Sequence, residues 1–165
     1  MACSALLRTR EFFLQEMDIR SVWPIGSVED VDQLVLHDVT AIVGVRGINN
    51  IRIAVSFEQA VLDEIMSRYT ADISVPANQT QLYRRETAAE IVNILVGHCT
   101  IDFQKPDMLI SLTPPVIVER PRSIQRPAGA VFKRLALRTE FGPLDINFVG
   151  PGELLDEQLQ YVKTF

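Results

Sequence analysis

Glu86-Thr87-Ala88-Ala89-Glu90-Ile91-Val92-Asn93-Ile94-Leu95-Val96-Gly97 is the stretch on which the reading of this chain turns. On a helix advancing about 100° per residue, Glu86, Glu90, Asn93 and Gly97 fall on one stripe. The opposite side carries Ala88, Ile91, Val92, Leu95, Val96 and Cys99, a core-facing surface. A buried helix thus offers two carboxylates, one amide and a glycine notch to its surroundings. Asn and Gly are poor helix formers, and Gly costs about 1 kcal/mol relative to Ala in a helix interior. Their position on the exposed stripe suggests close approach by a partner, with Ile94 beside the stripe as an apolar docking contact. An ordinary solvated helix face has the same kind of composition, so the stripe alone does not decide the matter.

A length of 165 residues suffices for one domain with a full hydrophobic core. The composition, 47% hydrophobic and 22% charged, is that of a soluble globule. No apolar run approaches the roughly 18 residues of a membrane span, and residues 1–8 do not read as a signal peptide. A cytoplasmic protein that binds no membrane is expected. A net charge of -5 argues against binding a phosphate backbone, so no nucleic-acid partner is expected. The one basic cluster, residues 119–127, reads as a solvated loop.

Few residues suggest chemistry elsewhere. Cys3 and Cys99 lie far apart and share no spacing with His37 or His98, so no metal site is expected. Cys99 reads as a small core residue and Cys3 as an end residue. There is no nucleophile elbow and no phosphate-binding glycine loop, which leaves a small-molecule enzyme poorly supported.

The segment pattern predicts an amphipathic helix over about 4–19, with Leu6, Leu7, Phe13, Leu14 and Met17 on its apolar face. Residues 23–26 break it. A β-rich run over 33–46, a turn at 47–50 and a strand over 51–55 form a hairpin. Ser56 and Gln59 resemble a capping box opening a helix over 57–69. The striped helix follows over about 80–99, capped by Asn78 or Thr80, and 101–110 is ambiguous. Strands are expected at 116–118, 131–139 and 144–149, the last two joined as a hairpin, and a short helix at 153–162. The order predicts an α+β fold whose largely antiparallel sheet is built from hairpins with helices on one face. One domain over 1–165 is expected, with a short C-terminal extension over 151–165.

The motif Glu90-x-x-Asn93, with Glu86 four residues before it and Pro114-Pro115 about twenty after Asn93, resembles the CheC/CheX/FliY phosphatases of chemotaxis. Residues 38–44 followed by 53–57 resemble the hairpin and helix entry of CheX-type domains. The likeness spans roughly 34–149. CheC-like members carry two copies of the motif, whereas the corresponding helix here has Asp63-Glu64-Ile65-Met66-Ser67, with Ser67 in place of the amide. A single site is the CheX-like pattern. The family more often has Asp or Ser where this chain has Glu86, which keeps a carboxylate and extends its reach.

The resemblance implies hydrolysis of the acyl phosphate on a CheY-like receiver domain in two-component signalling. Glu90 and Asn93 would be catalytic, and Glu86, Ile94 and Gly97 would bind the partner. Asn93 would hold a water in line with phosphorus, and Glu90 would pair with the receiver's lysine. Glu90 as a general base is less attractive, because a carboxylate beside a phosphoryl group meets repulsion unless a cation stands between them. No cofactor of the chain's own is implied, since the receiver domain supplies Mg²⁺. A homodimer formed through sheet edges is implied as well. The competing reading is a binding module that docks a receiver domain or scaffold without hydrolysis.

Overall fold

The computed structural model describes residues 2–47, 51–101, 109–120 and 123–151. In chain order its elements are α1 (Ala2–Gln15), β1 (Val22–Pro24), β2 (Glu29–Asp30), β3 (Gln33–Val35), β4 (Val39–Arg46), β5 (Ile51–Phe57), α2 (Gln59–Tyr69), a 3-10 turn (Ala77–Gln79), α3 (Thr80–Ile101), β6 (Ser111–Leu112), β7 (Val116–Glu119), β8 (Ser123–Gln125), β9 (Ala130–Thr139) and β10 (Gly142–Pro151). The main sheet runs β1-β9-β10-β5-β4-β6, with β2 also on β9 and β7 also on β4; β3 and β8 pair separately. Every pairing is antiparallel. The fold is α+β.

Alternation along the central strands sets the layers. Val39, Ala41, Val43 and Val45 of β4 join Ile51, Ile53, Val55 and Phe57 of β5 in one buried core. Leu144, Ile146 and Phe148 of β10 extend it, and α1, α2 and α3 contribute Phe13, Leu62 and Ile91. A smaller cluster of Leu34, Leu36 and Phe132, flanked by Val31 and Val149, includes the other side of β9 and β10. The period of two that sends one set of side chains to the helices sends the next set to this second layer.

That second side is partly polar. Thr40, Ser56 and Asp145 are direct neighbours across β4, β5 and β10. The Ser56 hydroxyl accepts from the His37 N–H at 2.6 Å and lies 2.9 Å from the Thr40 hydroxyl. It therefore serves the sheet and does not cap α2. The helix begins at Gln59, and the Gln59 N–H donates to the Asp38 carboxylate at 2.9 Å. A tertiary partner has replaced the local capping box.

Other expectations are corrected by packing. α1 ends at Gln15 and buries Ala2, Ala5, Thr9, Phe12 and Phe13, leaving Leu7 and Leu14 half exposed. Small residues at i, i+3 and i+7 allow α1 to approach α3 closely, and the Ser4 hydroxyl donates to the Cys99 carbonyl at 3.4 Å. The breaker at 23–26 contains most of β1, and the β-rich run over 33–46 is two strands parted at residues 36–38. Within the basic loop, Ser123–Gln125 forms β8 against β3. Thr80 is not an acceptor cap; its hydroxyl donates to the Ala77 carbonyl at 3.2 Å. The turn residues 48–50, most of the ambiguous 101–110 stretch and the helix expected at 153–162 lie outside the described residues. Among the described residues, no helix is long and apolar enough to cross a membrane.

Candidate functional site

α3 owes its rigidity to what it buries. Ala88, Ile91, Val92, Leu95, Val96 and Cys99 are all buried, as are Thr87 and Thr100. Burying the four large aliphatic side chains contributes on the order of 10 kcal/mol before chain entropy is counted. That outweighs the roughly 1 kcal/mol that Gly97 costs. The helix can therefore carry poor helix formers on its outer stripe.

On that stripe Glu86, Glu90 and Asn93 are exposed, and Ile94 and Gly97 are half-buried. Glu90 and Asn93 are three residues apart, about 4.5 Å along the axis and on adjoining parts of one face. Among the described residues, none of the three polar side chains has a hydrogen bond or ion pair within the chain. The Asn93 amide thus keeps its donors and its acceptor for something outside the fold. A Cβ added at Gly97 would meet nothing within 4 Å, so the notch is open on its outer side. The Gly97 carbonyl accepts the Thr100 hydroxyl at 2.8 Å. Ile94 packs its inner side against the core.

α2 differs in the state of its carboxylates. Asp63 is bound by Arg84 of α3, Nε to Oδ1 at 2.5 Å, and Glu64 by Arg68 at 2.6 Å. Ser67 is exposed. With both acids engaged inside the fold, α2 presents no counterpart of the unpaired Glu90 and Asn93.

Pro114 and Pro115 lead into β7. Just before them, Thr113 is fixed to β4: its N–H donates to the Gly44 carbonyl at 2.9 Å, and its hydroxyl accepts the Gly44 N–H at 2.9 Å. No group of three or more His, Cys, Asp or Glu side chains suited to a metal ion exists among the described residues.

One feature beside the stripe leaves no local signal in the sequence. A cleft of about 310 Å³ opens between α1 and the last turns of α3, lined by Arg8, Glu11, Phe12, Glu16, His98 and Ile101 among others. It was hidden because its walls come from helices some ninety residues apart in sequence.

No sequence-family model matches the chain, and no curated protein matches it. Solved structures do match in fold. A chemotaxis protein CheX from Desulfovibrio desulfuricans superposes with a TM-score of 0.72 at 17% identity, covering 89% of this chain and 96% of that one. A CheC-like superfamily protein from Shewanella sp. PV-4 gives 0.74 at 15% identity, covering 90% and 95%. The CheX-CheY-BeF₃-Mg²⁺ complex from Borrelia burgdorferi gives 0.52 at 14% identity, covering 90% and 97%. The α+β architecture of this chain is the fold shared by the CheX and CheC-like chemotaxis proteins.

Proposed function

We propose that this protein docks on a phosphorylated CheY-like receiver domain and hydrolyses its acyl phosphate. The observation that carries this reading is the unpaired Asn93 amide, three residues from the unpaired Glu90 on a helix whose other side is fully buried. An amide both donates and accepts, so it can hold a water by one bond and orient it by another. Orientation of a nucleophile supplies several kcal/mol toward the barrier without a strong base. Phosphoryl transfer is especially suited to this, since positioning and charge stabilisation carry most of its catalysis.

Each neighbouring residue has a part in this reading. Glu90 pairs with a cation of the receiver's phosphorylation site, which fixes the register of docking. Glu86 adds a polar contact one turn earlier, Ile94 an apolar one, and Gly97 allows the partner's backbone to approach. The receiver domain brings its own Mg²⁺. The Borrelia CheX relative is found in a complex with CheY, BeF₃ and Mg²⁺, and beryllofluoride is a stand-in for a phosphoryl group. The fold likeness supports a partner of that class for this chain. A homodimer belongs to the same reading, with β7 as one edge strand and Val116 60% exposed on it.

The test is release of inorganic phosphate from a panel of acyl-phosphorylated receiver domains. Acceleration by wild type that is lost in Asn93→Ala supports the reading. Binding of a receiver without acceleration would favour a docking module and overturn the hydrolase.

A further inference from the structure

The stripe on α3 does not stop at Gly97. Ile94, Gly97 and Ile101 continue it at i, i+3 and i+7, and Ile101 is 58% exposed. Ile101 lies about 12 Å along the axis from Asn93. The cleft between α1 and α3 begins there, with Ile101 and His98 on one wall and Arg8, Glu11, Phe12, Gln15 and Glu16 on the other, one cation against two carboxylates on the α1 side. Phe12 is 5% exposed and forms an apolar base, while Glu11 and Glu16 are exposed. Glu11 is paired with Arg8 at 3.0 Å, whereas Glu16 has no ion pair among the described residues.

A standard interface covers about 800 Å² on each partner, a disc of roughly 16 Å radius. A receiver domain centred on Asn93 therefore extends over this cleft. The cleft has an apolar base, an exposed isoleucine on its lip and an uncompensated carboxylate at its end. A lysine or arginine side chain suits such a site, with its aliphatic stem on Phe12 and Ile101 and its head at Glu16.

We propose that the α1–α3 cleft is a second anchor of the docking face, taking a basic side chain from the receiver domain and contributing to the choice of partner. This rests on the receiver-docking reading above. It assigns the cleft to affinity, with the chemical step left to Asn93. Loss of a rim charge acts mainly on association and on its salt dependence.

The experiment measures KM and kcat for the receiver domain that wild type dephosphorylates fastest, for Glu16→Lys, Ile101→Ser and Asn93→Ala. Glu29→Lys on β2 serves as a charge-matched control. Glu16→Lys is expected to raise KM about tenfold, equivalent to about 1.4 kcal/mol, with kcat unchanged and a flatter salt dependence. Ile101→Ser should raise KM about threefold, and Glu29→Lys should leave it near wild type. KM unchanged in both cleft variants, with activity still lost in Asn93→Ala, would overturn the anchor alone. An equal rise of KM in Glu29→Lys would also overturn it, by reducing the effect to net charge. Full activity in Asn93→Ala would overturn the underlying reading.

Discussion

Arg84, near the start of α3, reaches across to Asp63 on α2, Nε to Oδ1 at 2.5 Å, with 18% and 38% of the two side chains exposed. The pair joins the two helices and withdraws an acid of α2 from any outside partner. Asp63→Ala is expected to lower stability by about 1 kcal/mol or less, since a partly exposed pair contributes little. It should leave phosphate release at the wild-type rate. Urea unfolding and the release assay on the same preparation check both parts, and a large loss of activity would mean that α2 carries a site after all.

Asp145 calls for a larger effect. Its side chain is 1% exposed and lies 2.9 Å from Arg134 Nε and 3.2 Å from His37 Nε2. His37 in turn directs its backbone N–H to Ser56. Removing this buried carboxylate leaves the Arg134 guanidinium without the acceptor of its Nε–H and takes away the group packed beside His37, at a cost of about 3 kcal/mol, short of a fully buried pair because Arg134 retains some solvent. Asp145→Ala should lower the urea midpoint accordingly. Hydrogen exchange should show the loss of protection first in β3 and at His37.

Gly97 separates stability from function. The site has open space for a Cβ, and Ala is the better helix former. Gly97→Ala should therefore raise stability by up to about 1 kcal/mol. On the proposed reading the added methyl enters the notch against the partner, so the same variant should bind the receiver more weakly. Thermal unfolding together with KM for the receiver checks this, and a gain in stability with unchanged KM would remove the notch from the interface.

α3 was legible in the sequence because its buried residues, Ala88, Ile91, Val92, Leu95, Val96 and Cys99, recur at alternating spacings of three and one, the pattern of one helix face. The hairpins β4–β5 and β9–β10 were legible from the period of two, each having alternation on both sides of a turn. What escaped detection depended on distant partners. Ser56 looked like a helix cap, yet its hydroxyl bonds to His37 and Thr40 across the sheet. β1 was hidden because Trp23-Pro24-Ile25-Gly26 reads as punctuation, although an edge strand tolerates Pro at its end. β8 is three exposed residues that become a strand only because β3 pairs with them. The apolar face of α1 was misread because Leu7 and Leu14 outweigh Ala2 and Ala5 in hydrophobicity, whereas close helix contact favours the small side chains. The stripe residues could be named from sequence. That Asn93 is unpaired and that the α1–α3 cleft adjoins it required the fold.

The proposed hydrolysis rests on one amide. Phosphate release from an acyl-phosphorylated receiver domain, measured with wild type and Asn93→Ala at equal concentration, tests it most directly. Acceleration by wild type and a fall to the receiver's own rate in Asn93→Ala are expected, with binding retained and stability within about 0.5 kcal/mol because the side chain is exposed. Equal acceleration by both proteins would contradict it.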